Sequence, residues 1–191
     1  MKAPLPEDEQ ARLKNLREFR ILDTEPEEVF DEVTRLASYI SQTPTALITF
    51  VDSDRQWFKS RVGFRERETP RDVSFCAHAI LQPGPTVVKD ALDDVRFRDN
   101  PLVLESPYIR FYAGFPLTSA EGRRLGTLCV LDSVRRLLFP EQAEALERLS
   151  KVVMALLESR RTAAYLEGAL NAKRRRLAEL EGKSGPEGEP G

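Results

Sequence analysis

Residues 108–132 read YIRFYAGFPLTSAEGRRLGTLCVLD. Two runs rich in apolar, aromatic and β-favouring residues flank a polar turn at Glu121 and Gly122, and glycine supplies the positive φ that such turns need. The pattern predicts a β-hairpin with strands at about 109–118 and 124–132. In the first strand, Phe111 and Phe115 share one face and Tyr112 lies on the other. The second strand is apolar on both faces, which predicts a sheet covered on both sides.

The composition is that of one globular domain with helical extensions. The chain has 191 residues, which is enough for a sizeable core. Its net charge of −2 gives no excess of positive charge that would favour nucleic acid as a partner. The N-terminus lacks the apolar core of a signal peptide, and no apolar run is long enough to cross a membrane. We therefore expect a cytoplasmic protein with no nucleic-acid and no membrane partner.

The remaining segments before residue 108 predict helices followed by strands. Apolar periodicity, proline breaks and turn residues predict helices at 6–20, 24–43 and 75–81, strands at 45–52, 55–62 and 86–89, and an exposed connection at 63–72. Residues 90–107 are polar and loop-like, with one helical turn. They supply many polar groups immediately before the hairpin.

The C-terminal part predicts a long helix that begins at Pro140. Positions 149, 152, 156, 159, 163, 166, 170, 173, 177 and 180 follow at alternating steps of three and four, and most of them are apolar. This spacing is typical of a coiled-coil seam over about four heptads. A helix that packs its first half on its own sheet and frays afterwards is the alternative. We expect a coiled-coil helix at 159–181 and a disordered tail at 182–191, which leaves no room for an output domain.

Several short motifs resemble those of GAF domains. They are DRQWFKS (54–60), SFCAHAI (74–80), VVKDALDDVRFRDNPLV (87–103), IRFYAGFPL (109–117) and GTLCVLD (126–132). The resemblance covers about residues 12–158 and is closest to the GAF branch found at the N-terminal side of bacterial sensor histidine kinases and diguanylate cyclases. It implies an α+β fold with a central antiparallel sheet of five or six strands, helices on one face, a pocket on the other and a long C-terminal helix. Together with the predicted coiled coil, the resemblance divides the chain into four parts: an N-terminal helix (1–22), a GAF sensor domain (23–158), the coiled coil and the tail.

The same resemblance brings residues 75–78 and 90–112 together at the pocket. It implies an unidentified small-molecule ligand and the ligand-binding residues Phe75, Cys76, His78, Asp90, Asp94, Arg96, Asn100, Arg110 and Tyr112. The arginines, Asn100 and Tyr112 offer donors for an anionic or amide-bearing ligand, and the aspartates offer acceptors. The alternative is that these polar groups fix the long loop to the sheet by internal hydrogen bonds.

Cofactor chemistry is constrained by the single histidine of the chain, His78. A metal site needs three or four ligands, so we expect no metal site. Haem with one axial histidine stays open, and the cofactor is left unassigned. Cys76 is followed by Ala77, so the Cys-His pair of bilin-attaching GAF domains is absent. The NKxnFxDE string of cyclic-nucleotide-binding GAF domains is absent as well.

Two classes of function follow from the resemblance. The first is a non-catalytic sensor or signalling module that acts as a homodimer on an effector in trans, such as a histidine kinase or a diguanylate cyclase. The second is a thiol-dependent reductase, because one GAF branch reduces free methionine sulfoxide. Cys76 lies near one thiol position of that branch, but residues 110–114, where another is expected, contain none. Since Cys76 and Cys129 lie far apart in sequence within apolar settings, we expect two buried, non-catalytic thiols.

Overall fold

A single antiparallel sheet of six strands forms the centre of the structure. The computed structural model describes the backbone of residues 2–183 and the side chains of residues 2–176 and 178. Its strands are β1 (Thr45–Val51), β2 (Arg55–Val62), β3 (Glu68–Pro70), β4 (Thr86–Val88), β5 (Phe111–Thr118) and β6 (Arg124–Asp132). Its helices are α1 (Glu9–Glu18), α2 (Glu28–Ser41), α3 (Phe75–Ala79), α4 (Pro101–Leu104) and α5 (Pro140–Lys183), with a 3₁₀ turn at Arg71–Val73. The strand order is β3-β2-β1-β6-β5-β4. The predicted α+β fold is confirmed.

The hairpin of β5 and β6 lies in the sheet as the sequence predicts. Gly114 faces Cys129, and Phe115 faces Leu128, while the other edge of β6 pairs with β1. Gly126 is required at this central position, because a Cβ atom there would lie 1.8 Å from the carbonyl oxygen of Thr49 on β1. The alternation along β5 then decides which side chains meet each of the two covering layers.

One face of the sheet is covered by helices. The β5 side chains of Phe111, Ala113, Phe115 and Leu117 point into this layer. The apolar side of α2 and the first half of α5 pack on the same face. Leu146, Val153 and Leu157 of α5 are fully buried there. Glu158, Arg160 and Arg161 are still partly covered, and every side chain from residue 162 to residue 176 is exposed. The helix therefore leaves the domain after its first half.

The other face is covered by α3, α4 and the connections between them. Tyr112 of β5 and Cys129 of β6 point into this second layer, where they meet Phe75, Cys76 and Phe97. This is the side on which the resemblance implies a pocket. Both faces of β6 are buried, so the expectation from its continuous apolar pattern is confirmed.

A buried ion-pair network fixes α1 to the sheet. The carboxylate of Glu9 accepts hydrogen bonds from the Arg12 guanidinium at 2.8 Å and also pairs with Arg71 in the 3₁₀ turn. Arg12 donates to the carbonyl oxygen of Val51 at 2.7 Å and is only 1% exposed. Although burial would raise the pKa of Glu9, the hydrogen bonds from the two arginines outweigh it and hold that pKa below 4.5.

A few segments differ from their predicted extents. The connection 63–72 contains the short edge strand β3 and the 3₁₀ turn, because it lies alongside β2. Helix α5 continues through 182 and 183, the first two residues of the predicted tail, and residues 184–191 lie outside the described part of the chain. The seam side chains at 177 and 180 also lie outside the description. Between residues 2 and 183, no helix is both long and apolar enough to cross a membrane.

Candidate functional site

The candidate site is the space between α3 and the face of the sheet that α3, α4 and their connections cover. Its volume is about 20 Å³. Most of its lining is apolar or aromatic, with a few polar groups: Leu47, Gln56, Phe58, Phe64, Thr69, Ser74, Phe75, Cys76, Leu102, Ile109, Tyr112, Cys129 and Leu131. A space of this size holds one water molecule. A larger ligand can enter only if side chains such as Phe64 and Leu102, which are partly exposed at its edge, move outward.

Aromatic packing fills the position of the implied pocket. The rings of Phe75 and Phe97 stack at a centroid distance of 4.0 Å with an interplanar angle of 6°. Tyr112 lies 5.3 Å from Phe75 on the other side. His78 packs edge-on against Phe97 at 4.9 Å and is almost fully buried. Three of the expected site residues, Phe75, Tyr112 and His78, are thus brought together as parts of one apolar stack.

Asn100 and Arg110 make internal hydrogen bonds. The Asn100 side chain accepts from the backbone amide of Leu102 at 2.9 Å, which caps α4, and donates to the carbonyl oxygen of Val73 at 2.9 Å. Arg110 donates to the carbonyl oxygens of Val103 at 2.8 Å and Ile109 at 3.1 Å. These bonds hold the 100–110 segment in place. For these two residues the structure therefore shows the internal hydrogen bonding that the sequence predicts as the alternative to ligand binding.

Asp90, Asp94 and Arg96 lie away from the enclosed space. Asp94 forms an ion pair with Arg96 at 2.6 Å, and this pair holds the pKa of Asp94 below its ordinary value. The Arg96 guanidinium also lies over the Phe97 ring at 4.9 Å. Asp90 and Asp94 line a separate open groove of about 550 Å³ beside β4, which shares no residue with the enclosed space. The expected site residues therefore divide between an interior stack and an outer rim.

The structure brings together two thiols that sequence reasoning treated separately. The Sγ atoms of Cys76 on α3 and Cys129 on β6 lie 3.7 Å apart, and both cysteines are free and buried. The Thr127 hydroxyl donates to Cys76 Sγ at 3.0 Å, and the Tyr112 hydroxyl donates to the same sulfur at 3.4 Å. Alternation along β6 already places Thr127 and Cys129 on one face, but only the strand register shows that this face meets α3.

A glycine makes room for the tyrosine of this cluster. A Cβ atom at position 114 would lie 2.0 Å from the hydroxyl oxygen of Tyr112. Gly114 therefore lets the Tyr112 ring lie across β5 and reach the Cys76 sulfur. A side chain at this position would push the hydroxyl away from the thiols.

The two thiols differ in acidity. Burial by itself would raise the pKa of Cys76, but hydrogen bonds from the Cys129 thiol and the surrounding hydroxyl groups outweigh burial and lower that pKa to about 7. Burial and the neighbouring Cys76 charge raise the pKa of Cys129 well above its ordinary value. Burial and the same charge also raise the pKa of Tyr112. At neutral pH, Cys76 is the nucleophilic member of the pair, and Cys129 and Tyr112 stay protonated.

The described residues offer no metal centre. Between residues 2 and 183, no group of three or more His, Cys, Asp or Glu side chains is arranged to hold a metal ion. The groups that line the enclosed space include the two thiols and the hydroxyl of Tyr112.

A six-stranded sheet with helices on one face and a loop-covered space on the other defines a GAF domain. The GAF domain family matches residues 25–178, and the chain belongs to this family. A cyclic di-GMP phosphodiesterase of Pseudomonas aeruginosa is 46% identical over 165 residues. That match covers 86% of this chain and 28% of the phosphodiesterase, so the chain spans little more than a quarter of its curated relative.

Solved structures share the same fold at low sequence identity. A domain of a two-component sensor histidine kinase protein from Sinorhizobium meliloti aligns with a TM-score of 0.57 at 16% identity, covering 73% of this chain and 95% of that domain. A type II free methionine-R-sulfoxide reductase from Thermoplasma acidophilum aligns with a TM-score of 0.57 at 12% identity, covering 75% of this chain and 96% of the enzyme. At identities this low, the structural likeness shows a shared fold and nothing more. The chain is thus a GAF domain with relatives among signalling proteins.

Proposed function

We propose that this chain is a non-catalytic sensory module that acts as a homodimer, in trans, on an effector that turns over cyclic di-GMP. The observation that carries the proposal is the 46% identity to a segment of a cyclic di-GMP phosphodiesterase. At this identity, the two segments share one fold. The proposal narrows the effector expected from the sequence, a histidine kinase or diguanylate cyclase, to the cyclic di-GMP class.

The surface of α5 supports the homodimer. From residue 162 to residue 176 every side chain of the helix is exposed, and Leu166 and Leu170 are 59% and 49% exposed on one side. Each leucine that becomes buried contributes roughly 1.5–3 kcal/mol, so two paired seams can offset the cost of association. A parallel pair places both domains at one end and lets a change in either domain reach an effector through the coil.

The dimer is tested by changing the seam and an opposite face of the same helix. Leu166→Glu with Leu170→Glu places four charges in the paired seam and should give a monomer by light scattering at micromolar concentration. Gly168→Glu with Ala172→Glu is the matched control, because a Cβ atom at 168 has open space around it and these positions face away from the seam. The control should remain a dimer. A monomeric wild-type protein, or equal dissociation of both variants, contradicts the proposal.

The coupling between this domain and a cyclic di-GMP phosphodiesterase through the coil is tested with a chimera. This chain replaces the matching segment of the Pseudomonas aeruginosa phosphodiesterase, and hydrolysis of cyclic di-GMP is measured. We expect an active chimera whose rate changes with the two seam substitutions and not with the two control substitutions. Equal rates for all three inserts would show that the domain does not act through the coil.

Sensing requires the enclosed space to open. Its apolar lining favours a small ligand that is itself mainly apolar and displaces Phe64 or Leu102 outward. Phe64→Ala should therefore strengthen binding of small apolar probes, measured as thermal stabilisation relative to wild type. Equal thermal stabilisation of wild type and variant by a set of such probes would show that the ligand does not bind in this space.

The thiol pair favours a second candidate function, the reduction of free methionine sulfoxide. Two sulfurs 3.7 Å apart can reduce a sulfoxide and form a disulfide, and the reductase from Thermoplasma acidophilum has the same fold. The enclosed space is too small for the amino acid unless it opens. Turnover of free methionine-R-sulfoxide with a dithiol reductant, abolished by Cys76→Ser, would establish the enzyme. Absence of turnover in the wild-type protein would exclude the reductase activity and support the sensory role.

A further inference from the structure

We propose that Cys76 and Cys129 form a reversible oxidation site that is converted to an intramolecular disulfide by hydrogen peroxide. The two sulfurs lie 3.7 Å apart and a disulfide bond is about 2.05 Å long, so a small approach of α3 to β6 joins them. The pair is not required for the sensory role, and neither thiol is part of the seam on α5.

The surroundings of Cys76 favour its thiolate. Thr127 and Tyr112 direct hydroxyl groups at the sulfur from 3.0 Å and 3.4 Å. Hydrogen bonds from neutral donors stabilise a sulfur anion in a buried position, and the thiolate is the form that attacks an oxidant. Burial and the neighbouring Cys76 raise the pKa of Cys129, so Cys129 stays a thiol and is the resolving member of the pair.

The size of the adjoining space selects the oxidant. The space beside both sulfurs is about 20 Å³, which admits a molecule close to water in size. Hydrogen peroxide meets this limit, whereas a disulfide such as oxidised glutathione does not. Both cysteine residues are only 1% exposed, so larger reagents cannot reach the sulfurs without opening of the domain.

The reaction balances with one peroxide for each pair of thiols. The Cys76 thiolate attacks one peroxide oxygen, an S–O bond forms, the O–O bond breaks, and hydroxide leaves and takes up a proton as water. Cys129 then attacks the sulfur of the Cys76 sulfenic acid, the S–S bond forms, and the oxygen leaves as a second water with the Cys129 proton. Two electrons pass from the sulfurs to the peroxide, and a dithiol reductant returns the pair to its thiol state.

Mass spectrometry after trapping with an alkylating reagent tests the site. Folded full-length protein treated with hydrogen peroxide should lose both alkylation sites together, give a peptide cross-linked through Cys76 and Cys129, and recover both sites with dithiothreitol. Oxidised glutathione should leave the folded protein unchanged. A glutathione adduct on Cys76, or loss of only one thiol, would overturn the assignment.

Three variants separate the roles of the residues. Cys129→Ser should stop the reaction at a sulfenic acid on Cys76 that dimedone captures, and Cys76→Ser should leave Cys129 unoxidised at the same peroxide concentration. Thr127→Val keeps the shape of the side chain but removes the hydroxyl donor, so oxidation should slow several-fold at pH 7. An unchanged rate in Thr127→Val, or equal oxidation of Cys129 in the Cys76→Ser variant, contradicts the proposal.

Discussion

Asn100→Ala distinguishes a structural role for this residue from a ligand-binding one. Asn100 is 4% exposed and makes two hydrogen bonds at 2.9 Å, to the amide of Leu102 and to the carbonyl of Val73. Loss of an N-cap costs about 1 kcal/mol. A partly buried carbonyl left without its donor costs about 1–2 kcal/mol more. We therefore expect the ligand-free protein to lose roughly 2–3 kcal/mol of its free energy of unfolding.

The assay is thermal and urea unfolding of the protein without ligand. For a chain of this size, 1 kcal/mol corresponds to about 2–4 °C in Tm, so the midpoint should fall by about 4–12 °C. Asn100→Asp keeps the acceptor that caps α4 but loses the donor to Val73, and should cost roughly half as much. Arg98→Ala is the matched control on the same loop, since its side chain is 58% exposed, and should leave the midpoint unchanged. An unchanged midpoint in Asn100→Ala would contradict the structural role of Asn100 and support a role in ligand binding.

Two further predictions concern the centre of the sheet and the N-terminal ion pairs. Gly126→Ala places a Cβ atom against the Thr49 carbonyl, a clash that can be relieved only by a shift of the backbone. The free energy of unfolding, measured in urea, should therefore fall by about 3 kcal/mol or more. Gly84→Ala is the control: a Cβ atom there has open space, so its stability should be unchanged or slightly higher. The pKa of Glu9 is lower in the folded protein than its ordinary 4.5, so its contribution is fully present above about pH 4.5 and is lost as the pH falls through the folded value. Glu9→Gln should therefore lower stability at pH 7 and flatten the loss of stability as the pH falls below about 4.5; an equally steep acid loss in this variant would contradict the assignment.

Elements with a local sequence pattern are predictable from the residues alone. The alternation of Phe111, Ala113, Phe115 and Leu117 predicts both the β5 strand and its helix-facing side, because side-chain direction in a strand repeats every two residues. The three-four spacing after Pro140 likewise predicts the long helix α5. These patterns depend on neighbouring residues only, so they can be read without knowing what packs against them.

The composition of the candidate site depends on long-range packing. Cys76 and Cys129 are separated by 53 positions, and their contact depends on the register of β6 and on the placement of α3. The same holds for Asn100 and Arg110, whose polar side chains suit either a ligand or a backbone carbonyl. Whether these side chains bind a ligand or a backbone carbonyl depends on how the 90–110 segment packs on the sheet. No local sequence pattern determines that packing. Long-range packing therefore decided the chemistry of this GAF domain, while local periodicity determined its framework.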